Sequence, residues 1–194
     1  MFTWLGNASL LARAGLLASL ILLSCAAQAQ MVSVQHRIPL VSVTDKGAIT
    51  LQQQQGVFSP WSSHILLGKV RIIELVPGKA EARILNPHLL HAIARADFDS
   101  TQYQTTAIIN ASDAFWGTGM FVKSSAIALK KQYPWMSIIY DEDGQVAQHW
   151  QLAHHQPATL VVDKQGVVRY LKHGTLSYHN INVLIHIVAQ LLQR

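Results

Sequence analysis

The sequence predicts a single α/β domain with a mixed sheet, and three stretches carry that prediction. Val70 to Pro87 (VRIIELVPGKAEARILNP) joins an apolar, β-branched run to a Pro-Gly break and a helix-prone segment. Thr105 to Ile109 is a second such run, spaced from the first as a strand–helix–strand crossover requires, which makes the two strands parallel. Ala158 to Val162 and Val167 to Leu171 flank Asp163-Lys164-Gln165-Gly166, the pattern of an antiparallel hairpin. At 194 residues and 50% apolar composition the chain can bury one core, and neither a repeat nor a linker argues for a second domain.

Residues 1–29 are set apart from that domain. Arg13 is the only charge before Leu16 to Leu23 (LLASLILL), and Ala27-Gln28-Ala29 closes the segment with small residues at both ends of a triplet. This is the pattern of a secretory signal cleaved after Ala29, leaving a chain of residues 30–194 in the periplasm or beyond. The apolar run is shorter than the roughly 20 residues of a retained span. Leu22-Leu23-Ser24-Cys25 loosely matches a lipidation signal, so a lipid-anchored chain starting at Cys25 is the alternative.

Leu40 to Thr44 and Ala48 to Leu51 are expected to form a hairpin around Asp45-Lys46-Gly47, with Gln52 to Gln55 as a polar connection. Phe58, Pro60 and Trp61 are expected to pack over one end of the sheet. Val70 to Val76, interrupted only by Arg71 and Glu74, reads as a strand covered on both faces. A helix over Ala80 to Ala96 presents Leu85, Leu89, Ala92, Ile93 and Ala96 on one face and is expected to kink at Pro87. Asn110 to Gly119 (NASDAFWGTG) reads as a loop, expected to bury Trp116. Then come a helix through Lys123 to Tyr133 stopped by Pro134, a strand Met136 to Tyr140, a turn at Asp141 to Gly144 and a short helix Gln145 to Leu152. After the hairpin, Ser177 caps a last helix with Ile181, Leu184, Ile185, Val188 and Leu192 on its core face.

Composition excludes several chemistries. Cys25 is the only cysteine; removed with a signal, it leaves no thiol, so disulfide exchange, thiol peroxidase activity and a cysteine nucleophile are ruled out for the processed chain. The net charge of +5 is scattered, without the concentrated basic footprint of a nucleic-acid binder. Of the 10 histidines, His88 and His91 share a helical face, and His149, His154 and His155 cluster near Pro157. No His-Glu-x-x-His or comparable spacing joins them, so neither a metal nor another cofactor is expected.

Ile138 to Gly174 (IIYDEDGQVAQHWQLAHHQPATLVVDKQGVVRYLKHG) resembles the second half of periplasmic thioredoxin-like and peroxiredoxin-like domains, with Pro157 at the place of their cis-proline. More narrowly, LLGKVR, YQTTAIIN, GTGMFVKSS and KKQYPW, taken with TDKG and WQL, resemble the YtfJ family of exported bacterial proteins. The resemblance implies a thioredoxin-like fold over residues 40–174 and no established activity. Where redox members carry Cys-x-x-Cys, this chain has Lys79-Ala80-Glu81-Ala82.

The resemblance also implies a cleft. In that fold the start of the first helix meets the proline loop at one end of the sheet, so Gly78, Lys79 and Glu81 should face His155, Gln156 and Pro157. Lys79 and free helix N–H groups suit an anion, and the backbone of Gln156 suits an extended peptide. Either this cleft binds a ligand or it persists without one. The leading expectation is a binding or scaffold module of the envelope whose partner is a protein or peptide, without dithiol chemistry. The alternative is a metal-dependent or other thiol-free enzyme using the histidines near Pro157.

Overall fold

A computed structural model describes residues 31–78 and 85–193. The expected signal with Cys25, and Lys79 and Glu81, lie outside the described residues. The strands are β1 (Ser42–Gln52), β2 (Gln55–Ser62), β3 (Val70–Pro77), β4 (Tyr103–Asn110), β5 (Ser137–Asp141), β6 (Ala158–Val162) and β7 (Val168–His173). The helices are α1 (Pro87–Ala96), α2 (Gly119–Gln132), α3 (Gln145–His149) and α4 (Tyr178–Leu192).

The strands form one seven-stranded sheet in the order β2-β1-β5-β4-β3-β6-β7. β3, β4 and β5 run parallel, and the outer pairings are antiparallel. All of β3 is buried, because strands flank it on both edges and helices or loops cover both faces. Side chains alternate across a strand, which divides the core. Val70 and Ile72 pack with Leu89 and Ile93 of α1 and Ile181, Leu184 and Val188 of α4. On the same face Val76, Ala107, Ile109 and Ile138 meet Val122, Ala126 and Leu129 of α2. Ile73, Leu75, Ile108 and Ile139 point the other way, onto Trp150, α3 and the segment from Val32 to Val41.

The two charges of β3 have separate explanations. The buried Arg71 donates through Nε to the Leu66 carbonyl at 2.8 Å and through its guanidinium to Ile65 O, satisfying the end of a 3-10 turn at Ser63–Leu66. Glu74 points into the α1 face, where its Oε2 accepts the Asn86 N–H at 3.4 Å.

Three expectations need correction. The N-terminal hairpin does not turn at Asp45-Lys46-Gly47: β1 continues through these residues with a bulge, and the turn falls at Gln53-Gln54, both left-handed (φ 49 and 65). Gly47 belongs to the bulge, where a Cβ would collide with the Ser59 carbonyl oxygen and stand 2.8 Å from the Trp61 nitrogen of β2; Val57 to Trp61 are thereby part of an edge strand. Pro87 does not kink a helix but begins one. It occupies the first turn, where its missing N–H costs nothing, and the Asn86 side chain caps the N–H groups of His88 and Leu89. Finally, the Gln156–Pro157 bond is trans, since no cis peptide occurs among the described residues. The chain reverses at left-handed His155 (φ 58) instead, and the ordinary trans bond then leads straight into β6.

Candidate functional site

The register of the sheet determines what gathers at the C-terminal end of the parallel strands. Leu75 of β3 pairs with Ala158 of β6, so Gln156 and Pro157 lie at the same sheet end as Pro77 and Gly78. On the other side Pro77 pairs with Asn110, the last residue of β4. Gly78 donates its N–H to the Asn110 carbonyl at 2.7 Å, and a Cβ there would stand 2.7 Å from that oxygen and 2.9 Å from Ala111 Cα. Only glycine fits so close an approach.

Asp113 is the hub of this end. It sits in a 3-10 turn at Ala111–Asp113 with its side chain 3% exposed. Oδ2 accepts from Asn110 Nδ2 at 2.9 Å and from the His155 N–H at 3.1 Å. Oδ1 lies 3.3 Å from His155 Nδ1 and 3.8 Å from His154 Nδ1. A buried carboxylate needs such partners, and these tie the end of β4 to the loop before β6. Ser112 donates to Asn110 Oδ1 at 2.7 Å, and left-handed Gly144 packs against both side chains with no room for a Cβ. The imidazole of His155 is 73% exposed, so Asp113 fixes one edge of the ring while the other faces solvent.

Beyond the hub the chain leaves the core. Phe115 is 79% exposed, Trp116 101%, Met120 75% and Phe121 60%, so the expectation of a buried Trp116 is wrong. Left-handed Gly117 turns the loop outward (φ 81) and α2 enters the core only from Val122; Trp61 and Trp150 are the packed indoles. From Ala114 to Val122 no residue is charged.

Of the residues singled out from sequence, Gly78, His155, Gln156 and Pro157 stand at this one end, Gly78 buried, His155 and Gln156 exposed and Pro157 half-buried. Gln156 makes no backbone hydrogen bond to any described residue. His88 is turned elsewhere, its Nε2 3.3 Å from the Tyr178 hydroxyl across the α1–α4 contact. His149 Nδ1 is 2.8 Å from the Gln145 carbonyl in its own helix. Among the described residues no group of three or more His, Cys, Asp or Glu side chains is arranged to hold a metal. Sequence reasoning set Asp113 beside the cleft without giving it a partner and passed over Asn110; the 3-10 turn that follows β4 is what brings their side chains together. Asp141 is explained by local structure, since its two oxygens accept the Gln145 and Val146 N–H groups at the start of α3.

The comparisons agree with this architecture. Residues 32–191 match the family described as "Bacterial protein of unknown function (YtfJ_HI0045)". The uncharacterized protein YtfJ of Escherichia coli (strain K12) is 36% identical over 89% of this chain and 94% of its own. An uncharacterized protein of Haemophilus influenzae is 36% identical over 87% of this chain and 91% of its own. Among solved structures, the thioredoxin domain of a thiol-disulfide oxidoreductase from Bacteroides vulgatus superposes with a TM-score of 0.53 at 14% identity, covering 81% of this chain and 99% of that one; this likeness shows the fold alone. The chain thus belongs to the YtfJ family of bacterial proteins and has a thioredoxin-like α/β fold.

Proposed function

We propose that the protein is an exported binding module that takes an extended, apolar polypeptide segment at the C-terminal end of its parallel strands, without dithiol chemistry. The observation that carries this reading is the uncharged stretch of exposed Phe115 and Trp116 in the loop and Met120 and Phe121 in the first turn of α2, beside the Asp113–His155 hub. Exposed apolar side chains this close together mark an interaction surface, and aromatic and Met side chains are those enriched at interface cores. Gln156 supports it, because a backbone N–H and carbonyl without a partner among the described residues, at the same sheet end, can pair with a peptide in extended form. Export rests on residues 1–29 alone; the mass of the native N-terminus checks it, with Gln30 expected and an acylated Cys25 contradicting it.

The test is a photo-crosslinker placed at Trp116 in cells, followed by binding of the purified partner. The expected result is one discrete heterologous adduct, and a partner that binds the purified protein at least about tenfold more weakly after Trp116→Ser. No adduct, or adducts only with other copies of the chain, contradicts the reading.

One observation favours a second reading, a thiol-free enzyme. Asp113 Oδ1 stands 3.3 Å from His155 Nδ1, near enough for a buried carboxylate to turn the imidazole into a general base once the ring aligns. A module that only binds should keep its partner after His154→Ala and His155→Ala together, whereas an enzyme should bind it and lose turnover.

A further inference from the structure

The crossovers from β4 and β5 leave the sheet on opposite faces. β4 leads to α2, whose Val122, Ala126 and Leu129 lie over one face, and β5 leads to α3, whose Val146 and Ala147 lie over the other. Between two such neighbouring parallel strands a crevice opens outside their carboxyl ends, the place where open α/β sheets receive ligands. A pocket of about 390 Å³ occupies that place here, lined by Ala111, Gly119, Met120, Lys123, Tyr140 and Glu142. Its size is that of a small-molecule site, about 300–1,000 Å³.

The two walls carry opposite charge. On the α2 side the Lys123 ammonium lies 5.1 Å from the centre of the Phe58 ring and forms no ion pair with a described acidic residue. Phe58 in turn meets Tyr140 edge to face at 5.8 Å, which sets the position of that wall. On the β5 side stands Glu142, 3.5 Å from Lys46, with its N–H held by Asp45 Oδ2. Ala111, Met120 and the Tyr140 ring supply apolar floor between the charges. A pure anion meets Glu142 and Asp45, and a pure cation meets Lys123; a ligand bearing both charges is opposed by neither.

We propose that this pocket binds a small zwitterion, an α-amino acid or dipeptide, with its carboxylate toward Lys123, its ammonium toward Glu142 and its side chain over Met120 and Ala111. This goes beyond the polypeptide-binding reading and does not depend on it. The test is an amide NMR titration of the purified protein with glycyl-leucine, beside N-acetyl-glycyl-leucine and glycyl-leucinamide, each of which lacks one charge. The expected result is millimolar binding with shifts at Gly119, Met120, Lys123 and Glu142. Blocking either terminus, or making Lys123→Met or Glu142→Gln, should weaken binding at least about tenfold. Trp116→Ser should leave it unchanged, so failure here and failure of the crosslinking test are separate events. Both variants change exposed or half-exposed charges, and the amide spectrum itself shows whether they fold. Absence of shifts at millimolar dipeptide, or shifts indifferent to both charges, would overturn the proposal.

Discussion

Glu74 is enclosed in the middle of the sheet, with Oε2 on the Asn86 N–H and Oε1 without a partner among the described residues. Burial disfavours its charged form and, against the opposing Asn86 hydrogen bond, pushes its pKa up to about 7. The folded-state value thus exceeds the unfolded one near 4.5. The contribution of this group to stability is full below pH 4.5, declines as pH rises toward about 7 and is lost above that. The difference amounts to about 3 kcal/mol. Glu74→Gln should therefore unfold at higher urea than the parent at pH 8 and at similar urea at pH 4; a parent stability indifferent to pH over this window would contradict the assignment. Asp113→Ala should cost about 1–3 kcal/mol, because it strands Asn110 Nδ2 and the His155 N–H. Urea denaturation measures it, and Asp113→Asn should recover part of the loss. Neither role was legible in the sequence, where Glu74 is only a break in an apolar run and Asp113 a loop residue beside the expected cleft with no evident partner. Their roles come from burial, which composition does not specify.

Elements were legible where local chemistry and burial agree. The β3 run, the Asp163 to Gly166 turn and the Ser177 cap are such cases: Asp163 Oδ1 accepts from Gln165 and Val167, Gly166 takes φ 81, and Ser177 and Asn180 form a reciprocal capping box. Ser177→Ala should cost about 1 kcal/mol in thermal unfolding. The first hairpin was misread because Asp-Lys-Gly is a better turn sequence than Gln-Gln, yet the pairing of Ile49 with Phe58 and Leu51 with Gly56 puts the reversal at the glutamines. Gln53 and Gln54 both adopt left-handed backbone that favours Asn and Gly. Gln53→Asn with Gln54→Gly should consequently raise stability by about 1 kcal/mol through relief of left-handed strain, and a loss instead would mean the turn lies elsewhere. The start of α1 was misread for a related reason: apolar periodicity extends N-terminally of Pro87, but a proline is far better placed at a first turn than inside one.

At the scale of the molecule, the fold is held by three packed cores around one sheet, and with Cys25 the only cysteine in its sequence the chain cannot form an internal disulfide. Its unfolding midpoint should be the same with and without reductant, and it should not reduce insulin. The fold class and the gathering of Gly78, His155, Gln156 and Pro157 at one sheet end could be anticipated, because the resemblance to thioredoxin-like domains brings the end of the first parallel strand and the proline loop together. The outward loop could not, since an uncharged run with an indole leads one to expect a buried Trp116, whereas the structure leaves Phe115, Trp116, Met120 and Phe121 exposed. That loop is where the central claim is most exposed to test. With a photo-crosslinker at Trp116, and another at the exposed Gln148 as a control, a discrete heterologous polypeptide should be captured at Trp116 only. Its binding to the purified protein should fall after Trp116→Ser while the fold is kept. Equal capture from both positions, or none from Trp116, would contradict a binding function for this end of the molecule.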